Sequence, residues 1–100
     1  VTTVYISIGN SDDKLTQSDW AAYYSNTAVA IQRAATTLHG QWVSEPASAW
    51  QNACWCVEIN KDSAELLKLR LAEIAHDYRQ ESVAWAVAET EFITTGGATS

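Results

Sequence analysis

What most constrains this chain is the way its hydrophobic period changes along its length. Val4, Ile6 and Ile8 alternate with Tyr5 and Ser7, the two-residue period of a half-buried strand. Trp20, Tyr24, Thr27, Ala28, Ile31, Ala34, Ala35 and Leu38 then fall three and four residues apart, one stripe of an amphipathic helix. The two-residue period returns from Asn52 to Ile59. Ala53, Trp55, Val57 and Ile59 share one face there, and Asn52, Cys54, Cys56 and Glu58 the other. A second helical stripe follows in Ala64, Leu67, Leu71, Ile74, Ala75 and Tyr78, with Leu69 nearly opposite it. From Ser82 to Phe92 the pattern predicts a last strand, in which Ala84, Ala86 and Ala88 alternate with Val83, Trp85 and Val87.

The punctuation between these segments is consistent with the periods. Gly9 to Asp13 reads as a turn, and Thr16 or Ser18, followed by Asp19, as a helix N-cap. Gly40 marks a stop or a strand entry, after which Trp42 and Val43 make a short strand ended by Pro46. Proline cannot donate to a ladder, so this strand is expected at an edge. The loop Ala47-Ser48-Ala49 allows it to pair antiparallel with the strand that follows, and Asp62-Ser63-Ala64-Glu65 has the form of a capping box. The tail from Thr94 to Ser100 is expected to fray, leaving residues 1–93 as one domain.

Strand, helix, strand, strand, helix, strand is the order of the ferredoxin-like split βαβ motif, an α+β fold. Two helices then cover one face of a four-stranded antiparallel sheet. Right-handed crossovers put the first and third strands at the centre and the other two at the edges. Such a fold hosts many activities and specifies none.

Composition narrows the function classes. Twelve acidic residues against six scattered basic ones give a net charge of −6, the opposite of what neutralising nucleic-acid phosphates requires. No stretch approaches the ~18 apolar residues of a membrane helix. A cytoplasmic protein with neither nucleic acid nor membrane as partner is the expectation. Cys54 and Cys56 lie two apart, about 6.5–7 Å between Cα atoms on a strand, at the outer limit for a disulfide. With His39 and His76 distant in sequence, they are too few for a zinc site, and no cofactor is expected.

Two places hold the residues of recognition. Trp is scarce in most chains and concentrated in cores and interfaces, yet there are five here, with Trp42, Trp50 and Trp55 close together. On the sheet face away from the helices, alternation puts Tyr5, Ser7, Asn52, Cys54, Cys56 and Glu58. Either Gln41 and Val43 or Trp42 and Ser44 join them according to register. Trp85 joins as well if the three alanines face the helices. This mixture, with Trp50 on the preceding loop, suits a protein partner, a second copy of the chain, or a small molecule. The second place is the loop Asn10, Ser11, Asp12 and Asp13 at the entry to the first helix. Its backbone N–H groups can meet an anion, and its paired acids a divalent metal, although the same residues are ordinary turn formers. A Cys54–His39 pair across neighbouring strands is geometrically possible if register allows, though nothing in the sequence demands it.

Tyr5-Ile6-Ser7-Ile8-Gly9-Asn10-Ser11-Asp12-Asp13-Lys14-Leu15 and Trp50-Gln51-Asn52-Ala53-Cys54-Trp55-Cys56 resemble small uncharacterised proteins of actinobacteria and their phages. The resemblance implies a small acidic protein that binds a host protein or sequesters a small signal, and it assigns no residue. From the residues, the expectation is a non-enzymatic binding module, a homodimer or partner-binding domain using Tyr5, Ser7, Trp42, Trp50, Asn52, Cys54 and Trp85. The alternatives are a small metal-assisted enzyme or nucleotide-type ligand binder centred on Asn10 to Asp13, and a structural role in an assembly in which Leu69 and the sheet edges pack on neighbours.

Overall fold

The computed structural model describes residues 1–45 and 48–96, the side chain of Ser11 excepted. Pro46, and the part of the expected tail from Gly97 on, lie outside the described residues. Strand β1 (Thr2–Gly9) leads through a 3-10 turn (Ser11–Asp13) into helix α1 (Gln17–Ala34). Strands β2 (Thr37–Val43) and β3 (Asn52–Ile59) follow, then helix α2 (Lys61–Asp77) and strand β4 (Ala84–Ala88). The strands form one antiparallel sheet in the order β2-β3-β1-β4, with β1 and β3 central as the crossover rule requires. The protein has the ferredoxin-like α+β fold.

The core lies between the sheet and the two helices. Val4, Ile6 and Ile8 of β1 and Ala53, Trp55, Val57 and Ile59 of β3 are buried against Trp20, Tyr23 and Ile31 of α1 and Leu67, Leu71 and Ile74 of α2. Rings tie the layers together. Tyr24 stacks on Trp55 with centroids 5.4 Å apart, and Tyr23 stacks on Tyr78 at 5.2 Å, joining the helices. The stripe read from the sequence carries Tyr24 but omits Tyr23, the more deeply buried of the two.

Three local expectations are corrected and one open choice is resolved. Leu38 belongs to β2, because α1 stops at Ala34. Thr36 donates both its backbone N–H and its hydroxyl to the Glu58 carbonyl, each at 2.9 Å, which draws the chain out of the helix and onto β3. Of the two N-cap candidates for α1, Thr16 is the cap, its hydroxyl accepting from the Asp19 N–H at 3.1 Å. The cap of α2 is Asn60, two residues before the expected box, its side chain accepting from the Ser63 N–H at 2.9 Å. Finally, β4 runs only from Ala84 to Ala88. Its last rung is Thr3–Ala88, although β1 continues to Thr2.

Candidate functional site

Register settles the composition of the open sheet face. Residues directly opposite one another in an antiparallel ladder point to the same side. Trp42 pairs with Cys54, Cys54 with Ser7, and Ser7 with Ala84, one row across all four strands. The next row is Gly40, Cys56, Tyr5 and Ala86. A third joins Thr37, Glu58, Thr3 and Ala88. Of the two registers open for β2, the one that brings Trp42 onto this face is the one formed. Gln41 faces the helices instead, and its side-chain oxygen accepts from the Trp55 indole N–H at 2.9 Å.

Trp85 is the exception among the expected site residues, and its placement is a correction. It pairs with Ile6, so it lies on the helix-covered side, packed against the core with the Lys68 ammonium 5.2 Å above its ring. The three alanines take the open face. The alternation was legible, but its phase was not: small residues on an edge strand fit either side, and the room beside α2 is filled by the large indole. Val87 opposite Val4 shows the same phase.

The open face is therefore aromatic at two points, with small residues between them. Trp42 is 57% exposed and Tyr5 45%, while Ser7, Cys54 and Cys56 are half-buried among them. A side-chain hydrogen bond with Cys56 holds the Tyr5 hydroxyl proton above the ordinary tyrosine range. Both thiols are free. His39 does not approach Cys54 in the manner of a catalytic pair. Beside a bulge in β2, its Nε2 lies 3.0 Å from Glu58, whose second short contact is the Thr3 hydroxyl. Those hydrogen bonds, Thr3 foremost and then His39, hold the Glu58 carboxyl below the usual range.

The two candidate loops meet at one end of the sheet. Asn10 is buried, and its amide is engaged: Nδ2 donates to the Leu15 carbonyl at 3.1 Å and to Gln51 Oε1 at 3.2 Å, while Oδ1 accepts from the Leu15 N–H at 2.9 Å. Its backbone N–H donates to the Gln51 carbonyl at 2.9 Å, and Gln51 reaches on to Gln17. Asn10 is thus a knot between the two loops. Asp12 and Asp13 occupy left-handed backbone (φ 57° and 51°), which aspartate tolerates in turns. No three His, Cys, Asp or Glu side chains among the described residues gather as a metal site. Across the knot, Asn52 Nδ2 donates to the Trp50 carbonyl at 2.8 Å, fixing the backbone while the Trp50 side chain stands 69% exposed.

A cleft that the sequence does not signal opens on the other side of the sheet. Lys68, Leu71, Ala75, His76, Val83 and Trp85 are among the residues around its ~520 Å³, between α2 and β4. Its walls come from two consecutive elements and the turn between them, and only the β4 phase, which seats Trp85 on this side, could have revealed it.

No protein-family model matches the chain, and no curated protein matches it. Among solved structures it is similar to SnoaB, a cofactor-independent oxygenase from Streptomyces nogalater, with a TM-score of 0.55 over 96% of each chain at 12% identity. A likeness at that identity carries the fold alone. No helix among the described residues is long and apolar enough to cross a membrane.

Proposed function

We propose that the chain is an interaction module that associates through the open face of its sheet, with a second copy of itself as the partner. The observation carrying this reading is the row structure of that face. Trp42 and Tyr5 stand out from a floor of Ser7, Cys54, Cys56, Ala84 and Ala86, with no helix over them. Protruding aromatics beside a shallow floor of small residues are self-complementary under a two-fold axis, since each copy offers both parts. The one carboxylate on the central strands of this face, Glu58, is partnered by Thr3 and His39, so it can be covered without stranding a charge.

The test is sedimentation of the wild-type chain and of Trp42→Glu and Ala86→Arg, each checked for native circular dichroism. A concentration-dependent dimer that both substitutions weaken by about 100-fold or more, the scale of a lost interface anchor, is the expected result. A wild-type chain that stays monomeric up to about 1 mM, where association contributes only about 4 kcal/mol, would sink the reading.

A second reading, binding of a small molecule, is favoured by the cleft at Trp85, whose volume falls in the range of ligand sites. Retention of a small molecule by the purified protein in native mass spectrometry would support it.

A further inference from the structure

Beyond Ala88 the chain has strand-forming sequence with no strand to pair with. Thr90, Phe92, Ile93, Thr94 and Thr95 are β-branched or aromatic, the residues enriched in sheets. Yet Glu89 to Gly96 form neither strand nor helix, and Phe92 and Ile93 are 86% and 89% exposed. Two adjacent large apolar side chains that cover nothing among the described residues make an unfilled interaction surface.

The opposite edge of the sheet has the matching deficiency. Among the described residues β2 pairs only with β3, so its outer edge offers unsatisfied backbone groups over Thr37–Val43, seven residues against the six of 90–95. Every residue of β2 is exposed, Leu38, Trp42 and Val43 included. Exposed edges of this length are ordinarily shielded by charge, proline or a covering element. This one carries no Lys, Arg, Asp or Glu, and the bulge between Leu38 and Gly40 leaves Gly40–Val43 as its regular stretch.

We infer that residues 90–95 of one copy add as an outer strand to β2 of a second copy, reciprocally, so that each sheet gains a fifth strand from its partner. This rests on the reading of the open face as a self-association surface and deepens it. Geometry favours the exchange over a fold-back. The chain's own β2 lies three strand spacings from β4, about 14 Å away across the open face, whereas stacked sheets lie about 10 Å apart. Area favours it too. A four-stranded face of about 19 Å by 20 Å offers a footprint of roughly 400 Å², against about 800 Å² per partner in a stable interface. An added strand carrying Phe92 and Ile93 supplies much of the difference, a buried aromatic alone covering about 150–250 Å².

The experiment uses the full chain and two variants, Phe92→Asp/Ile93→Asp and Ala86→Arg, with dimer affinity from sedimentation and amide hydrogen exchange over residues 37–43. Dimerisation is expected to slow exchange along β2 by about tenfold or more, as edge amides become hydrogen-bonded. The arm variant is expected to lose that protection and to weaken the dimer by about 100-fold, comparable with loss of an interface anchor. If Ala86→Arg dissociates the dimer while the arm variant changes neither affinity nor β2 exchange, strand exchange is overturned and the open-face reading stands. Arm-dependent protection of β2 that does not vary with concentration would place the arm on its own subunit and overturn the exchange. A dimer weakened by the arm variant with no change in β2 exchange would also overturn it. A monomeric wild-type chain removes both readings together.

Discussion

The indole N–H of Trp55, at the centre of the sheet, is satisfied from the edge: it donates to Gln41 Oε1 on β2 at 2.9 Å. The largest fully buried side chain is thereby held by a residue on a wholly exposed strand, and the two strands are pinned in the register that brings Trp42 to the open face. Gln41→Met keeps the bulk and removes the acceptor. It is expected to destabilise the fold by about 1–2 kcal/mol, the cost of an unpaired buried donor, measured by urea unfolding.

Asn10 closes the end of the sheet with five hydrogen bonds, two of them to Leu15 and one accepted by its carbonyl from the Asp13 N–H. Asn10→Ala removes the three made by the side chain and leaves buried backbone groups of Leu15 unpaired, at an expected cost of about 2–4 kcal/mol. For a domain of this size that lowers the melting temperature by at least about 8 °C. A change within error would show that the loop closes without the amide.

Tyr23 points its hydroxyl into the core with no hydrogen-bond partner among the described residues, as does Thr27 one turn later. Burial pushes the Tyr23 pKa from 10.0 up to about 12. The neutral phenol is the form the fold tolerates. The stability it carries is therefore complete below pH 10 and falls as pH rises through about 12, because the unfolded chain ionises first. Tyr23→Phe is expected to match or exceed the wild-type stability at neutral pH and to flatten the loss between pH 10 and 12. A steep fall in the variant equal to that of the wild type would assign the alkaline transition to another group.

Arg79 ends α2 in left-handed backbone, φ 58°, and the Gln80 N–H reaches back to the Ala75 carbonyl at 2.8 Å, closing a Schellman turn. Arg79→Gly relieves the Cβ strain of that conformation and is expected to stabilise the protein by about 0.5–1 kcal/mol in thermal unfolding. Arg79→Val, β-branched, is expected to act in the opposite direction.

The fold was legible because the buried strands and helices have unambiguous periods. β3 runs from Asn52 to Ile59 as its alternation requires, and the second helical stripe faces the core, with Leu67, Leu71, Ile74 and Ala75 buried and Ala64 and Tyr78 half-buried. What failed did so where local sequence is indifferent and a distant partner decides. Leu38 continues a helical spacing, and only Glu58, twenty residues on, takes the chain away from it. The alternation of β4 has two equivalent phases, and the choice between them depends on how much room α2 leaves beside Ile6. That choice removed Trp85 from the open face and created the cleft. Asn10 carried ordinary turn chemistry, and its engagement with Gln51 depends on a loop forty residues away that no local pattern specifies.

The uneven burial of the tryptophans makes the protein its own optical probe. Trp20 and Trp55 are sealed in the core, whereas Trp42 and Trp50 face water near one end of the sheet. Iodide will quench the second pair and spare the first. An occupant that settles on Trp42 will move the emission toward the blue and withdraw that residue from the quencher, so association can be followed without a label.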